Sequence, residues 1–475
     1  MRSLLMNYFQ LFPCVTAGGR HYSGLIAIAL LVLEGCTTYH PVPLDKATVS
    51  QELKPPSVDV LRVDARTIKH PILKPLNFDE SDGLSPDEAA VLSVIANTEL
   101  RAVRDKRGIA AAQLVQAGIL PNPQVSYGMD FPSGGTTLNT VNAFGLVFGW
   151  DVRFLITRWA EIDSAKTNAA SVDLDVAWQE WQVSEGAKQH VYRLYFLKNQ
   201  LDVAKDGEKG LRENVEAIKE AVDFGDMTVI DLSAAESALR VIQLSAQQID
   251  QQLNDERIAF NQSIGFPPEQ IVPIQEDIEP PALKKVPSLN LLLDGIEDRR
   301  LDLLALKLGY ESQESRVRGA ILAQFPRVNI GFSQLRDTSN VVTSGFGITI
   351  DLPIFDRNQG QIAIERATRK QLFDEYVDRL YKAQSDIATI LADIRSVNQQ
   401  IDTTQETVKT LERLVKTYYK AFLEGNADVI SYYNARNELI FKQIDVFKLK
   451  QTRADLAIAL EIAVGRYLDH ADLGG

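Results

Sequence analysis

The chain has 475 residues, a net charge of −13 and 45% hydrophobic residues. That length allows two or three ordinary domains, and the acidic balance excludes the basic stripes that neutralise nucleic-acid phosphates. Cys14 and Cys36 are the only cysteines, and the five histidines (His21, His40, His70, His190, His470) show no metal-binding spacing, so no disulfide framework, metal site or cofactor is expected.

At the N-terminus Arg20 and His21 precede an apolar run, Leu25 to Leu33, which is too short to span a bilayer and suits a signal h-region. It ends in Leu33-Glu34-Gly35-Cys36, which resembles a bacterial lipobox with Glu34 in place of the usual small or apolar residue. The expectation is a lipoprotein signal peptide over 1–35 and acylation (palmitate) at Cys36. Thr37 in place of Asp resembles sorting to the outer membrane. Prolines then cluster at Pro41, Pro43, Pro55, Pro56, Pro71 and Pro75, which predicts an extended arm over 36–84.

A helix is predicted over Pro86–Ala117. Gln124–Phe131 then alternates strictly: Val125, Tyr127, Met129 and Phe131 face one way, and Gln124, Ser126, Gly128 and Asp130 the other. A polar connection at 132–142 leads to a second strand in which Phe144, Leu146, Phe148 and Trp150 oppose Gly145, Val147, Gly149 and Asp151. No proline lies between Pro132 and Pro267, so a helix from about Thr157 to Asp223 would run roughly 100 Å. Gly186, Gly207 and Gly210 read as interruptions of it, and Gly225 as its terminating glycine.

A proline-rich linker spans 266–289, and a further helix is predicted over Asn290–Leu322. Strands follow with Val328, Ile330 and Phe332, then Phe346, Ile348, Ile350 and Leu352 on one face, joined by a loop at 336–344. Beyond Pro353 there is again no proline. From Tyr376, alternate steps of four and three pass through Leu380, Ala383, Ile387, Ile390, Ile394, Val397, Ile401, Thr404, Val408, Leu411, Val415, Tyr418 and Phe422. Only Thr404 is not apolar, and a sustained 3.5-residue repeat is a coiled-coil seam. A helix from Gln361 to Phe422 would be roughly 90 Å long, and Gly425 reads as its stop. Trp150 and Trp159 fit an aromatic belt, whereas Trp178 and Trp181, in a helical arm, read as packing residues.

The two halves repeat one another at a single offset of 200 residues: Gly145 with Gly345, Gly225 with Gly425, Gly265 with Gly465. The expected organisation is therefore a first repeat over 85–265, a second over 290–466 and a tail at 467–475. Segments of about ten residues, apolar on one face only, are the transmembrane β-barrel signature, and equally that of a half-buried hairpin. Four strands close no useful barrel, and an open edge cannot sit in lipid, so a membrane reading requires several chains to share one barrel.

Residues 85–466 resemble the TolC-like outer-membrane efflux protein family. The most specific segment is Leu352-Pro353-Ile354-Phe355-Asp356-Arg357-Asn358-Gln359-Gly360-Gln361-Ile362-Ala363, which looks like the family's strand-to-helix element; Pro353, Phe355, Asp356, Arg357 and Gly360 carry it. Gln116–Val125 resembles the lead-in to the first strand, most like the CzcC-like subgroup paired with metal-exporting RND pumps. The resemblance implies an α+β membrane protein. Its homotrimer would form a 12-stranded outer-membrane β-barrel, four strands per chain, continued by a 12-helix coiled α-barrel across the periplasm. It also implies two partners at the helical tips, a periplasmic adaptor (membrane fusion) protein and an inner-membrane RND pump, with outer-membrane lipid around the barrel.

The function so implied is passive efflux, of divalent metal cations or, alternatively, of drugs or type I secreted proteins. A periplasmic coiled-coil scaffold without a pore would explain the heptads but not the strands. No nucleophile elbow, phosphate loop or paired catalytic acid is present, so no enzyme is expected. Some family members carry an aspartate pair after the second tip glycine; here those positions are Ser431 and Asn434. Gly225, Asp226 and Asp231 at the first tip, and Glu424, Gly425 and Asp428 at the second, remain the gate candidates, with helix capping the alternative for the acids.

Overall fold

The computed structural model describes residues 38–78, 82–281, 283, 285–424 and 426–468. The chain divides into two units, one ending at Lys54 and one from Pro55 onward. Cys36, the segment read as a signal peptide and most of the 467–475 tail lie outside the described residues.

The stretch read as an extended arm contains two short helices, α1 (Lys46–Glu52) and α2 (Val58–Thr67). The prolines do not prevent this, because none lies inside either helix: Pro41 and Pro43 precede α1, Pro55 and Pro56 precede α2, and Pro71 and Pro75 follow it. Asp45 caps α1 by accepting the Thr48 N–H at 2.8 Å.

The first repeat continues with α3 (Pro86–Ala96), α4 (Thr98–Gly118), β1 (Gln124–Asp130), β2 (Ala143–Asp151), α5 (Phe154–Phe224) and α6 (Val229–Ser263). The second follows with α7 (Leu289–Leu293), α8 (Ile296–Arg299), α9 (Leu301–Leu322), β3 (Val328–Arg336), β4 (Val342–Ile350), α10 (Gln359–Leu423) and α11 (Val429–Val464). The long arms α5 and α10 have 71 and 65 residues, or about 105 and 98 Å. The 3.5-residue seam of α10 is its packed face: Ala383, Ile387, Ile394, Val397 and Ile401 are buried. Ala383, Ile387 and Ile394, with Leu391, pack on Ala457, Leu460 and Val464 of α11. Each of the buried Ile, Leu and Val side chains contributes about 1.5–3 kcal/mol.

Three expectations need correction. Residues 86–117 form two helices, because Asn97 breaks them: its Oδ1 accepts the N–H groups of Glu99 and Leu100, at 2.9 and 3.2 Å, and restarts the helix as α4. Residues 290–322 likewise divide into three, with Gly295 in the left-handed conformation between α7 and α8. The glycines of α5 do not interrupt it. Gly207 and Gly210 are where α11 comes close: a Cβ at Gly207 would lie 2.7 Å from Ile440 Cδ1, and one at Gly210 would meet the Arg436 guanidinium.

The offset of 200 reappears as a shared joint. Asn97 Nδ2 donates to the Ser263 carbonyl at 2.9 Å, and Arg300 Nη1 donates to the Ala463 carbonyl at 3.0 Å. Gly265 and Gly465, both left-handed, follow two residues later. In each repeat the last turn of the returning helix is thus tied to the break in the helices that precede the strands. Trp178 and Trp181 are buried beside these joints, as packing residues.

Candidate functional site

Two regions carry chemistry: the sheet and the helical tips. The four strands form one antiparallel sheet in the order β1-β2-β3-β4. Directly opposed residues share a face, so the register decides sidedness. Val125 opposes Phe148, Phe148 opposes Phe332, and Phe332 opposes Phe346, an apolar row across all four strands. Trp150, Ile330 and Ile348 form the row on one side of it, and Tyr127 and Leu146 lie in the row on the other side. At the loop end this face turns polar in the second hairpin, with Gln334, Ser344 and Arg336. The opposite face carries Gly149, Gly331 and Gly347 in one row, with Ser126, Ser333 and Asn329 nearby. Phe346 on the apolar face is 71% exposed within the chain, so nothing in this chain covers it.

The β3–β4 loop is shorter than the sequence predicts. Arg336 belongs to β3 and residues 342–344 to β4. Asp337 Oδ1 accepts the N–H groups of Ser339 and Val341, each at 2.9 Å, and Asn340 turns left-handed, which closes the hairpin in five residues.

In the strand-to-helix segment, Asp356 Oδ1 accepts the Asn358 N–H at 2.8 Å, and Asn358, left-handed, donates through Nδ2 to the Ala320 carbonyl of α9 at 2.8 Å. Asn358 is therefore the pin of this junction. The sequence reading included it in the segment without singling it out. Arg357 donates its backbone N–H to Gln359 Oε1, and Phe355 is exposed. The first copy passes from Asp151 to Phe154 with no such excursion. Trp150 donates to the Pro121 carbonyl at 2.8 Å, while Trp159 is exposed.

At the tips the copies repeat with their chemistry exchanged. Gly225 has φ 81°, and the Asp226 N–H donates to the Ala221 carbonyl at 2.8 Å. At the second tip the Asn426 N–H donates to Ala421 with the same length; Gly425 itself lies outside the described residues. Thr228 starts α6 by accepting the Asp231 N–H, and Asp231 Oδ2 accepts the Thr228 hydroxyl at 2.7 Å. Asp428 starts α11 by accepting the Ser431 N–H at 2.7 Å and the Ser431 hydroxyl at 3.0 Å. Hydroxyl and carboxylate have swapped places around one capping arrangement. The hydrogen bonds from Ser431 hold the Asp428 carboxyl below its usual range.

Asp231 and Asp428 are thus engaged as caps, whereas Asp226, Glu424 and Asn434 are exposed. The sequence reading missed the apolar character of the tips. Phe224, Val229 and Ile230 at the first, and Leu423 and Ile430 at the second, are exposed. The signal available for these was their place at the ends of otherwise well-packed helices.

Among the described residues no group of three or more His, Cys, Asp or Glu side chains could hold a metal ion. Likewise, no described helix is long and apolar enough to cross a membrane.

Residues 292–466 match the outer membrane efflux protein family. The chain is 20% identical to the cobalt-zinc-cadmium resistance protein CzcC of Cupriavidus metallidurans, over 70% of this chain and 76% of that protein. It is 21% identical to the probable outer membrane lipoprotein SilC of Salmonella typhimurium, over 60% of this chain and 67% of that one. Its fold matches the crystal structure of the outer membrane protein VceC of Vibrio cholerae, with a TM-score of 0.68 at 17% identity, over 81% of this chain and 97% of that one.

Proposed function

We propose that this chain, a member of the outer membrane efflux protein family, is one third of a passive outer-membrane duct fed from the periplasm. The observation that carries the reading is the sheet: four strands with an uncovered apolar face, and β1 and β4 at its open edges. Four strands are too few to enclose a pore, and an open edge in hydrocarbon would leave N–H and C=O groups unsatisfied. Three copies, β4 of one beside β1 of the next, give twelve strands and no edge, with the glycine rows lining the lumen.

The long arms α5 and α10, each with its returning helix, supply four helix columns per chain and hence twelve per trimer. The exposed apolar tips fit a docking surface for a periplasmic adaptor, behind which an inner-membrane pump supplies the energy. Acylation at Cys36 would add an anchor in the outer membrane. The relative named for cobalt, zinc and cadmium resistance makes divalent cations the first cargo to test. Drugs and secreted proteins are the alternatives, and growth of a deletion strain on each metal and on antibiotics separates them. Purified protein in planar bilayers is expected to give trimer-sized conductance steps; their absence, also in variants opened at the tips, overturns the reading.

The tip acids give a sharper test. Asn caps a helix about as well as Asp, so Asp428→Asn removes charge while keeping the start of α11. If Asp231 and Asp428 contribute to a cation-selective mouth, the Asp231→Asn/Asp428→Asn pair shifts the reversal potential in a salt gradient toward neutral selectivity. An unchanged reversal potential makes both of them caps only.

A further inference from the structure

Far from the tips and the sheet, one buried group of charges belongs to neither. Glu185 of α5 is 0% exposed and Lys188, one turn on, is 5% exposed. Lys188 Nζ lies 3.4 Å from Glu185 Oε1, 3.0 Å from Asp87 Oδ1 of α3, and 4.1 Å from the centre of the Tyr467 ring. Tyr467 follows the end of α11 and packs edge-on against Trp181 at 4.9 Å. Glu461 of α11 completes the group: its Oε1 accepts the Leu468 N–H at 3.0 Å, which fixes the chain reversal after the helix. Tyr192 of α5 also faces the cluster.

The hydrogen bonding of Glu185 is incomplete in one specific way. Neither of its carboxyl oxygens receives a bond from an N–H or O–H, the Lys188 ammonium being close but poorly aligned. Its carboxyl instead lies against that of Glu461. Two carboxylates cannot bond to one another; one carboxylic acid and one carboxylate can. Burial raises both carboxyls, but the Leu468 N–H favours charge on Glu461, which leaves the shared proton on Glu185. With that proton, the buried carboxyl pair carries one negative charge against one ammonium, while Asp87 is solvated at the surface. Without it, two adjacent buried carboxylates face a single ammonium.

We propose that the Glu185–Glu461 pair is a one-proton latch that holds the end of α11, and the Tyr467 turn after it, against α5 and α3, and loosens when the proton leaves. The latch acts at the base of α11, at the end opposite its tip. Burial, with Glu461 adding to it, pushes the Glu185 carboxyl up to about 8, against an ordinary value of 4.5. The sign follows: between those values the latched form holds a proton that the opened form lacks. Its stability is therefore complete below pH 4.5, falls as pH rises, and is lost through about pH 8.

The test is hydrogen–deuterium exchange of the full-length protein in detergent from pH 5 to 9, corrected for intrinsic exchange rates. In the wild type the opening of residues 456–468 is expected to rise about tenfold per pH unit up to about pH 8 and then level off, as loss of one proton requires. The start of α6 serves as the control and stays flat. Glu185→Gln, neutral at every pH, keeps the segment protected throughout. Glu461→Gln, which retains the acceptor for Leu468, provides a second variant should the first misfold; it removes the partner carboxylate while Glu185 stays buried, so the profile levels off at a lower pH. A wild-type profile without pH dependence, a Glu185→Gln profile that keeps the wild-type slope, or a Glu461→Gln profile that levels off where the wild type does, overturns the latch.

Discussion

Replacing Gly265 with alanine is expected to destabilise the protein by about 3 kcal/mol or more, against about 1 kcal/mol for the same change at Gly225. Both glycines are left-handed, at φ 71° and 81°, so both variants incur the left-handed penalty of an L residue. The surroundings separate them. Nothing lies within 4 Å of a Cβ at Gly225, whereas one at Gly265 would run into the Ala96 carbonyl oxygen and sit 2.7 Å from its carbon. Those are backbone atoms at the α3–α4 break, adjacent to Asn97 with its three hydrogen bonds, and they cannot turn aside as a side chain can.

Gly465 should fall between the two. Its Cβ would meet Arg300 Cγ at 2.9 Å and Cα at 3.2 Å, and Arg300 is held by Asp302 and by the Ala463 carbonyl. Thermal unfolding of the detergent-solubilised variants should therefore rank Gly265→Ala least stable, then Gly465→Ala, then Gly225→Ala. Equal losses at Gly225 and Gly265 would mean that conformation alone matters and that the joint tolerates the extra atom.

That series also shows where the sequence was legible. The glycine at 225 could be placed because a helix stop needs a residue that tolerates positive φ, whereas those at 265 and 465 were visible only as landmarks of the repeat, and their left-handed backbone appears in the structure. The α10 seam was legible because a heptad is local arithmetic, which needs no knowledge of the partner. The break at Asn97 was missed although its cap was present, since apolar residues continue on both sides and no Pro or Gly marks it. Gly207 and Gly210 were misread for the opposite reason. A glycine inside a long helix resembles an interruption until the residue packed on it, Ile440 or Arg436, is known, and that residue lies more than two hundred positions away. The pairing of Glu185 with Glu461 is of the same kind, because no local pattern brings α5 to the end of α11. At the tips, composition identified the acids, but only the hydrogen bonds separate Asp231 and Asp428, whose carboxylates cap the starts of α6 and α11, from Asp226 and Glu424, whose carboxylates cap neither.

The sidedness of the sheet supports the last prediction, because one strand offers both faces within three residues. Phe346 lies in the apolar row with Val125, Phe148 and Phe332, while Thr349 opposes Asn329 on the glycine-lined face. If the apolar face meets lipid, Phe346→Arg places a guanidinium in hydrocarbon at a cost of about 2–4 kcal/mol per chain near the midplane, or about 6–12 per trimer. Thr349→Arg would place the same group in a water-filled lumen, where lumen substitutions alter selectivity more than stability. The expected outcome is that Phe346→Arg disappears from heat-resistant trimers of the outer-membrane fraction. Thr349→Arg should assemble normally and shift the conductance of reconstituted channels toward anions. Were the sheet instead the half-buried hairpin pair of a soluble domain, Phe346→Arg would leave a folded protein outside the membrane, and neither variant would conduct. The reverse pattern, with Thr349→Arg lost and Phe346→Arg retained, would turn the barrel inside out and place the glycine rows against lipid.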